Sequence, residues 1–143
     1  MREFQLETDY TTLIAEVQHL NNAYDFRGGR LDQTGVGEPS YELIRPFAPC
    51  IKGVPFIVRT KQDILGKLLL TMERKGIWIP REPQRLLTQL TQQRCEPTQQ
   101  GTLSFTHPTG THDDLMWAFA LAVFAYPGNL DWMGTVIGVK RAE

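Results

Sequence analysis

The residues of this chain best suited to chemistry are His112-Asp113-Asp114, set directly ahead of the apolar run Leu115-Met116-Trp117-Ala118-Phe119-Ala120-Leu121-Ala122-Val123-Phe124-Ala125. A helix that is apolar on every side belongs in a core, so groups at its N-terminus are held rigidly. Two adjacent carboxylates beside an imidazole at such a place could bind a divalent metal. A third carboxylate, Asp32, ends Phe26-Arg27-Gly28-Gly29-Arg30-Leu31-Asp32 and opens the turn Gln33-Thr34-Gly35-Val36-Gly37. Metal-assisted phosphodiester hydrolysis uses carboxylates of this kind, because the ions they hold activate water and stabilise the leaving oxygen. Mg²⁺ favours oxygen ligands and keeps several waters, so a few carboxylates suffice. In open α/β sheets such groups gather just beyond the carboxyl ends of strands. Asp32 fits that place; Asp113 and Asp114 reach the same rim only if the last helix points its N-terminus there.

Each candidate also has a plainer reading. Thr111-x-x-Asp114 has the spacing of a capping box, and acidic residues in a first helical turn are favoured by the helix dipole. Asp32 is a common strand-end turn residue. Gly35-Val36-Gly37 is not a phosphate-binding loop, since no Gly-Lys-Ser/Thr follows it. His107 and His112 lack zinc-ligand spacing with Cys50 or Cys95. Lys61 reads as a solvated first-turn lysine that could reach a phosphate, and Trp78 and Trp117 read as core.

The elements that must position these groups follow from hydrophobic period. Arg2–Glu7 alternates as a half-wet strand. Asp9–Tyr24 places Leu13, Ile14, Val17, Leu20 and Tyr24 on one helical stripe. A short strand ends at Asp32, and Pro39 suits the first turn of a helix carrying Tyr41, Leu43 and Ile44. Ile51–Val58 is strand-like, and Thr60-Lys61-Gln62-Asp63 has capping-box spacing ahead of Ile64, Leu65, Leu68, Leu69 and Met72. Gly76 ends that helix; Ile77-Trp78-Ile79-Pro80 is a short strand. Pro83–Gln93 is helical with Leu86, Leu87 and Leu90 inward, Glu96–Gly101 a polar loop, and Leu103-Ser104-Phe105 a last strand before the turn at His107–Gly110. Alternating strands and helices make an α/β domain with a partly parallel sheet.

The 143 residues suit one domain, 1–143, with a core over 1–128 and a tail over 129–143. Hydrophobic content of 41% and charged content of 22% are those of a globular protein, and the net charge of −1 gives no global pull toward nucleic acid. Two distant cysteines, no apolar leader and no run long enough for a bilayer fit a soluble cytoplasmic protein with no membrane contact.

From Leu31 onward the order of segments resembles the C-terminal nuclease domain of the large terminase subunit of tailed bacteriophages. The resemblance rests on Asp32-x-Thr34-Gly35-Val36-Gly37, Gly53-Val54-Pro55-Phe56, a Lys61-containing helix and Gly76-Ile77-Trp78-Ile79-Pro80. A helix, a Phe105 strand and Gly110-Thr111-His112-Asp113-Asp114 with its Ala/Leu-rich helix complete it. It covers roughly Phe4 to Tyr126; each motif is weak alone, and their order is fairly specific. It implies a ribonuclease-H-like mixed sheet flanked by helices. It also implies a Mg²⁺- or Mn²⁺-dependent endonuclease that cuts double-stranded viral DNA during genome packaging. Asp32 would be the second-strand carboxylate; Asp114, slightly ahead of Asp113, would be the last metal ligand, with His112 and Lys61 secondary.

The family's first metal-binding aspartate precedes the segment that here begins at Arg2, so the domain is expected to be N-terminally truncated. The family's motor ATPase is also expected to be missing from this chain, which has no Walker motif and could take such an ATPase as a packaging partner. The Phe4 strand would then pair with the Leu31 strand, or two copies would join edge to edge as a homodimer. Two functions compete: a working endonuclease, and a catalytically weak or inactive remnant that binds DNA or a protein.

Overall fold

The computed structural model describes residues 9–35, 37–79, 84–97, 103–109 and 111–126. The chain divides into two compact units, Met1–Phe56 and Ile57–Glu143. The expected Arg2–Glu7 strand and the 129–143 tail lie outside the described residues.

In the first unit, α1 (Tyr10–Tyr24) starts at Asp9, whose carboxylate accepts from Thr12 N at 2.9 Å and Thr12 Oγ1 at 2.7 Å. The Thr12 hydroxyl, then its amide, holds the Asp9 carboxyl below the ordinary range. This cap therefore stabilises above the unfolded carboxyl's pKa and fades as pH falls through the folded one. The apolar stripe of α1 is half-buried, but Tyr24 is 73% exposed and leaves it.

Two parallel strands follow, β1 (Gly29–Asp32) and β2 (Ile51–Val54), in register from Gly29↔Ile51 to Asp32↔Val54. Between them runs α2 (Gly37–Ile44). Ile44, Ala48 and Ile51 form the core, with Ile14, Val17, Phe26, Leu31, Phe47 and Cys50 packed on it. Strand β2 stops four residues short of the expected Val58. Pro55 has no amide to donate, and Phe56 N donates instead to Thr34 Oγ1 at 2.8 Å.

The second unit holds α3 (Val58–Glu73), α4 (Gln84–Gln92), β3 (Arg94–Pro97), β4 (Leu103–Thr106) and α5 (Asp114–Ala125). Strands β3 and β4 pair antiparallel, Cys95 opposite Phe105. Helix α5 packs against α3 and α4. Of the α3 stripe, Ile64 and Leu68 are buried, whereas Leu69 and Met72 are 59% and 39% exposed. The expected capping box at Thr60 is not formed: α3 starts three residues earlier, with Ile57 at the N-cap, and Thr60 Oγ1 donates to the Ile57 carbonyl at 3.2 Å. Ile77–Ile79 forms no strand, and Trp78, at 90% exposed, is not core. Helix α5 is apolar all round but not buried all round, since Ala118 and Ala122 face solvent.

The end of α3 carries a measurable strain. Lys75 N donates to Met72 O and Gly76 N to Thr71 O, each at 2.9 Å, a Schellman closure. That closure needs a left-handed residue one position before Gly76, and Lys75 occupies it at φ 54°. Lys75→Gly is expected to stabilise the protein by about 1 kcal/mol, read as a rise in denaturation midpoint without a change in slope.

Candidate metal centre

Asp32 sits at the carboxyl end of β1, where the ladder is extended by Gln33 N donating to Val54 O at 2.9 Å. Its Oδ1 accepts from Thr34 N at 2.8 Å, the bond of an Asx-turn. The turn continues through Gly35 at φ 60° and closes with Gly37 N donating to Thr34 O at 3.2 Å. A Cβ at Gly37 would overlap the Asp32 carbonyl, so α2 can start this close to β1 only with glycine there. The turn-residue reading of Asp32 is thus correct. It uses one carboxylate oxygen and leaves Oδ2 without a hydrogen bond among the described residues.

The other candidates lie in the second unit, at the head of α5. Asp113 is the N-cap residue but makes no side-chain cap bond, and Thr111 does not form the expected capping box. The Thr111 hydroxyl donates instead to Pro108 O at 2.7 Å. An orphan amide of α5 is satisfied from a neighbouring helix: Met116 N donates to Gln89 Oε1 at 2.9 Å, in a buried setting. At the other end, Lys67 Nζ donates to Phe124 O and Tyr126 O at 3.3 and 2.6 Å, placing a cation on the negative end of the helix. α5 is therefore fixed at both ends by groups outside it.

The two adjacent aspartates differ sharply. Asp113 Oδ2 accepts from Trp117 Nε1 at 2.9 Å and Gln93 Nε2 at 3.2 Å, and Oδ1 lies 3.8 Å from His107 Nε2. The Trp117 ring in turn carries Lys61 Nζ 5.3 Å from its centroid, a cation–π contact. Asp114 is exposed and forms no hydrogen bond or ion pair among the described residues. His112 is exposed and likewise bonds to nothing there. Among the described residues, no group of three or more His, Cys, Asp or Glu side chains is gathered as a metal cluster.

Comparison with solved structures explains the arrangement of elements. The chain superposes on the large terminase nuclease of the thermophilic phage G20c with bound magnesium at a TM-score of 0.70 and 22% identity, over 82% of this chain. The cobalt-bound form of that nuclease gives the same values, and a further crystal structure of it gives 0.66 and 24%. The fold is that of a large terminase nuclease. The ribonuclease-H-like α/β class expected from the sequence is therefore correct. The chain spans 62% of the length of the magnesium-bound terminase nuclease, under two thirds. No family model matches the chain, and no curated protein does.

Set in the terminase nuclease fold, the residues that sequence reasoning missed are those that hold others in place. Gln89 is one: a polar residue only 7% exposed, three positions after buried Leu86 on the inward face of α4. A polar group at an apolar position of the stripe is the signal that could have found it. Gln93 and His107 gave no such signal, because both reach Asp113 from outside α5, Gln93 from twenty residues away and His107 from the turn before the helix.

Proposed function

We propose that this chain is a divalent-metal-dependent DNA endonuclease domain of terminase type, using Asp32 and Asp114 as metal-binding carboxylates. Its proposed role is to cut double-stranded viral DNA during genome packaging, with a packaging ATPase on another polypeptide. The observation that carries this reading is the contrast between Asp113 and Asp114. A carboxylate without partners among the described residues, on the first turn of a helix pinned at both ends, is what a ligand to an ion needs. Asp113 has both oxygens engaged by the protein, so its role is to position the head of α5 through Trp117, Gln93 and His107.

The donor set fits a hard cation. Among the described residues Asp32 offers one uncommitted oxygen and Asp114 two, with no thiolate near either in sequence, as suits Mg²⁺ or Mn²⁺ with waters completing the shell. Such an ion supplies an activated water and stabilises charge on the leaving oxygen. What the chain itself supplies is fixed carboxylate orientation: the Thr34 amide locks the Asp32 rotamer, and the Gln89 and Lys67 clamps keep α5 from shifting.

The test is conversion of supercoiled plasmid to nicked and linear forms by the purified chain in Mn²⁺, in Mg²⁺ and in EDTA. Nicking in metal and none in EDTA is expected. A folded protein that nicks under none of these conditions would overturn the proposal and leave a DNA- or protein-binding remnant as the reading.

A further inference from the structure

Helix α3 carries a seam of apolar side chains that faces outward. Val58, Gln62, Leu65, Leu69 and Met72 follow one another at spacings of four, three, four and three, the alternation of a and d positions in a coiled coil. Val58 and Leu69 are 58% and 59% exposed, Met72 is exposed and Leu65 half-buried, with Gln62 the one polar side chain among them. Scattered exposed apolar residues need no explanation, but a row of them at the spacing of a helix seam marks a surface for a second helix.

The two flanks of this seam differ. On one, Lys61 lies over the Trp117 ring of α5 and Leu68 is buried, so the chain's own packing closes that side. On the other stand Arg59, Gly66 and Glu73, seven residues apart and all exposed. Arg59 and Glu73 form no hydrogen bond or ion pair among the described residues. Gly66 is a poor choice for the middle of a helix, where only proline is worse. A Cβ built on it meets no atom within 4 Å among the described residues, so nothing there requires glycine. A backbone approaching closely from outside would require it.

The order of charges names the partner. Arg59 and Glu73 lie at equal distances on either side of Gly66 and carry opposite signs. Such a helix is complementary to itself reversed: Arg59 meets Glu73 at both ends, and glycine meets glycine in the middle. Parallel pairing would set this flank against the one that α5 already covers.

We propose that two copies of this chain associate through α3, with the helices antiparallel and crossing at Gly66, and with Arg59 of each copy paired to the partner's Glu73. The contact is two-fold symmetric and therefore closed, giving a dimer and no further growth. It is inferred from α3 alone and stands whether or not the chain is an endonuclease. Within one copy α3 and α5 run the same way, since Lys61 meets Trp117 near the head of α5 and Lys67 meets Phe124 and Tyr126 at its end. The antiparallel pair consequently points the two α5 heads in opposite directions.

Sedimentation velocity of the full chain from about 1 to about 500 μM tests this. Two 16-residue helices, each about 24 Å long, make a small interface, so a Kd of roughly 10–100 μM is expected. Arg59→Glu and Glu73→Arg each set like charges against one another twice and are expected to weaken the dimer about tenfold. Mixed in equal amounts, these two variants are expected to associate as the unmutated chain does, because a mixed pair has opposite charges at both ends. Leu69→Asp is expected to keep the chain monomeric throughout with an unchanged melting curve. Gly66→Gln should raise the melting temperature of the dilute monomer by about 3 °C and yet weaken the dimer, two effects of opposite sign. A chain that stays monomeric at the highest concentration would overturn the proposal. So would a dimer that survives Leu69→Asp, or single charge variants that associate undiminished or fail to recover on mixing.

Discussion

Asp114→Asn is expected to abolish metal-dependent nicking while leaving the melting curve nearly in place. The carboxylate makes no hydrogen bond or ion pair among the described residues, so the fold loses only its interaction with the α5 dipole, about 0.3–1 kcal/mol. A metal ligand contributes several kcal/mol of charge stabilisation to the reaction, and each 1.36 kcal/mol is tenfold in rate, so a drop of roughly a hundredfold or more follows. Asp113→Asn should behave in the opposite sense. Its Oδ2 accepts from both Trp117 Nε1 and Gln93 Nε2, and removing that charged acceptor costs about 1–2 kcal/mol of stability. Its residual nicking should exceed that of Asp114→Asn. Parallel melting and single-turnover nicking of the two variants checks this, and the reverse ranking would exchange the ligand and positioning roles.

Gly37→Ala is expected to cost about 3 kcal/mol and roughly 10 °C in Tm. The added methyl would overlap the Asp32 carbonyl, which is backbone and has no rotamer to change. Either α2 starts later or Asp32 is pushed off the end of β1, and both alter the carboxylate's position. Nicking measured well below the lowered Tm should therefore fall as well. Gly35→Asn is the control within the same turn. At Gly35 no atom lies within 4 Å of a built Cβ, and asparagine tolerates its φ of 60°, so a loss below about 1 kcal/mol is expected. If calorimetry shows equal losses for the two variants, the crowding argument for Gly37 is wrong.

Much of the frame was legible in the sequence because it depends on local period and local chemistry. The strand ending at Asp32, the helices over 10–24 and 84–92 and the apolar helix after Asp113 were each written in their own residues. So was the turn after Asp32, where Gly35 adopts a φ of 60° that glycine accepts without strain. Errors came where neighbours override period. β3 is exposed along its whole length and exists because β4 supplies its ladder, so Arg94–Pro97 shows no alternation to read. Trp78 looked like core because it is large and apolar, yet burial depends on what stands opposite, and a residue's own type cannot specify that.

For the candidate site, the sequence by itself determined the chemical inventory: Asp32 at a turn, two aspartates ahead of an apolar helix, and oxygen donors suited to a hard metal. Residue type alone did not rank Asp113 against Asp114, which are adjacent and chemically equal; the family resemblance put Asp114 only slightly ahead. The tertiary structure gives them different surroundings, because the donors that meet Asp113 include groups outside its own helix. Gln93 and His107 reach Asp113 from outside α5, as Gln89 and Lys67 reach the two ends of that helix. A carboxylate's freedom to bind an ion is set by which donors surround it, and that is a property of packing.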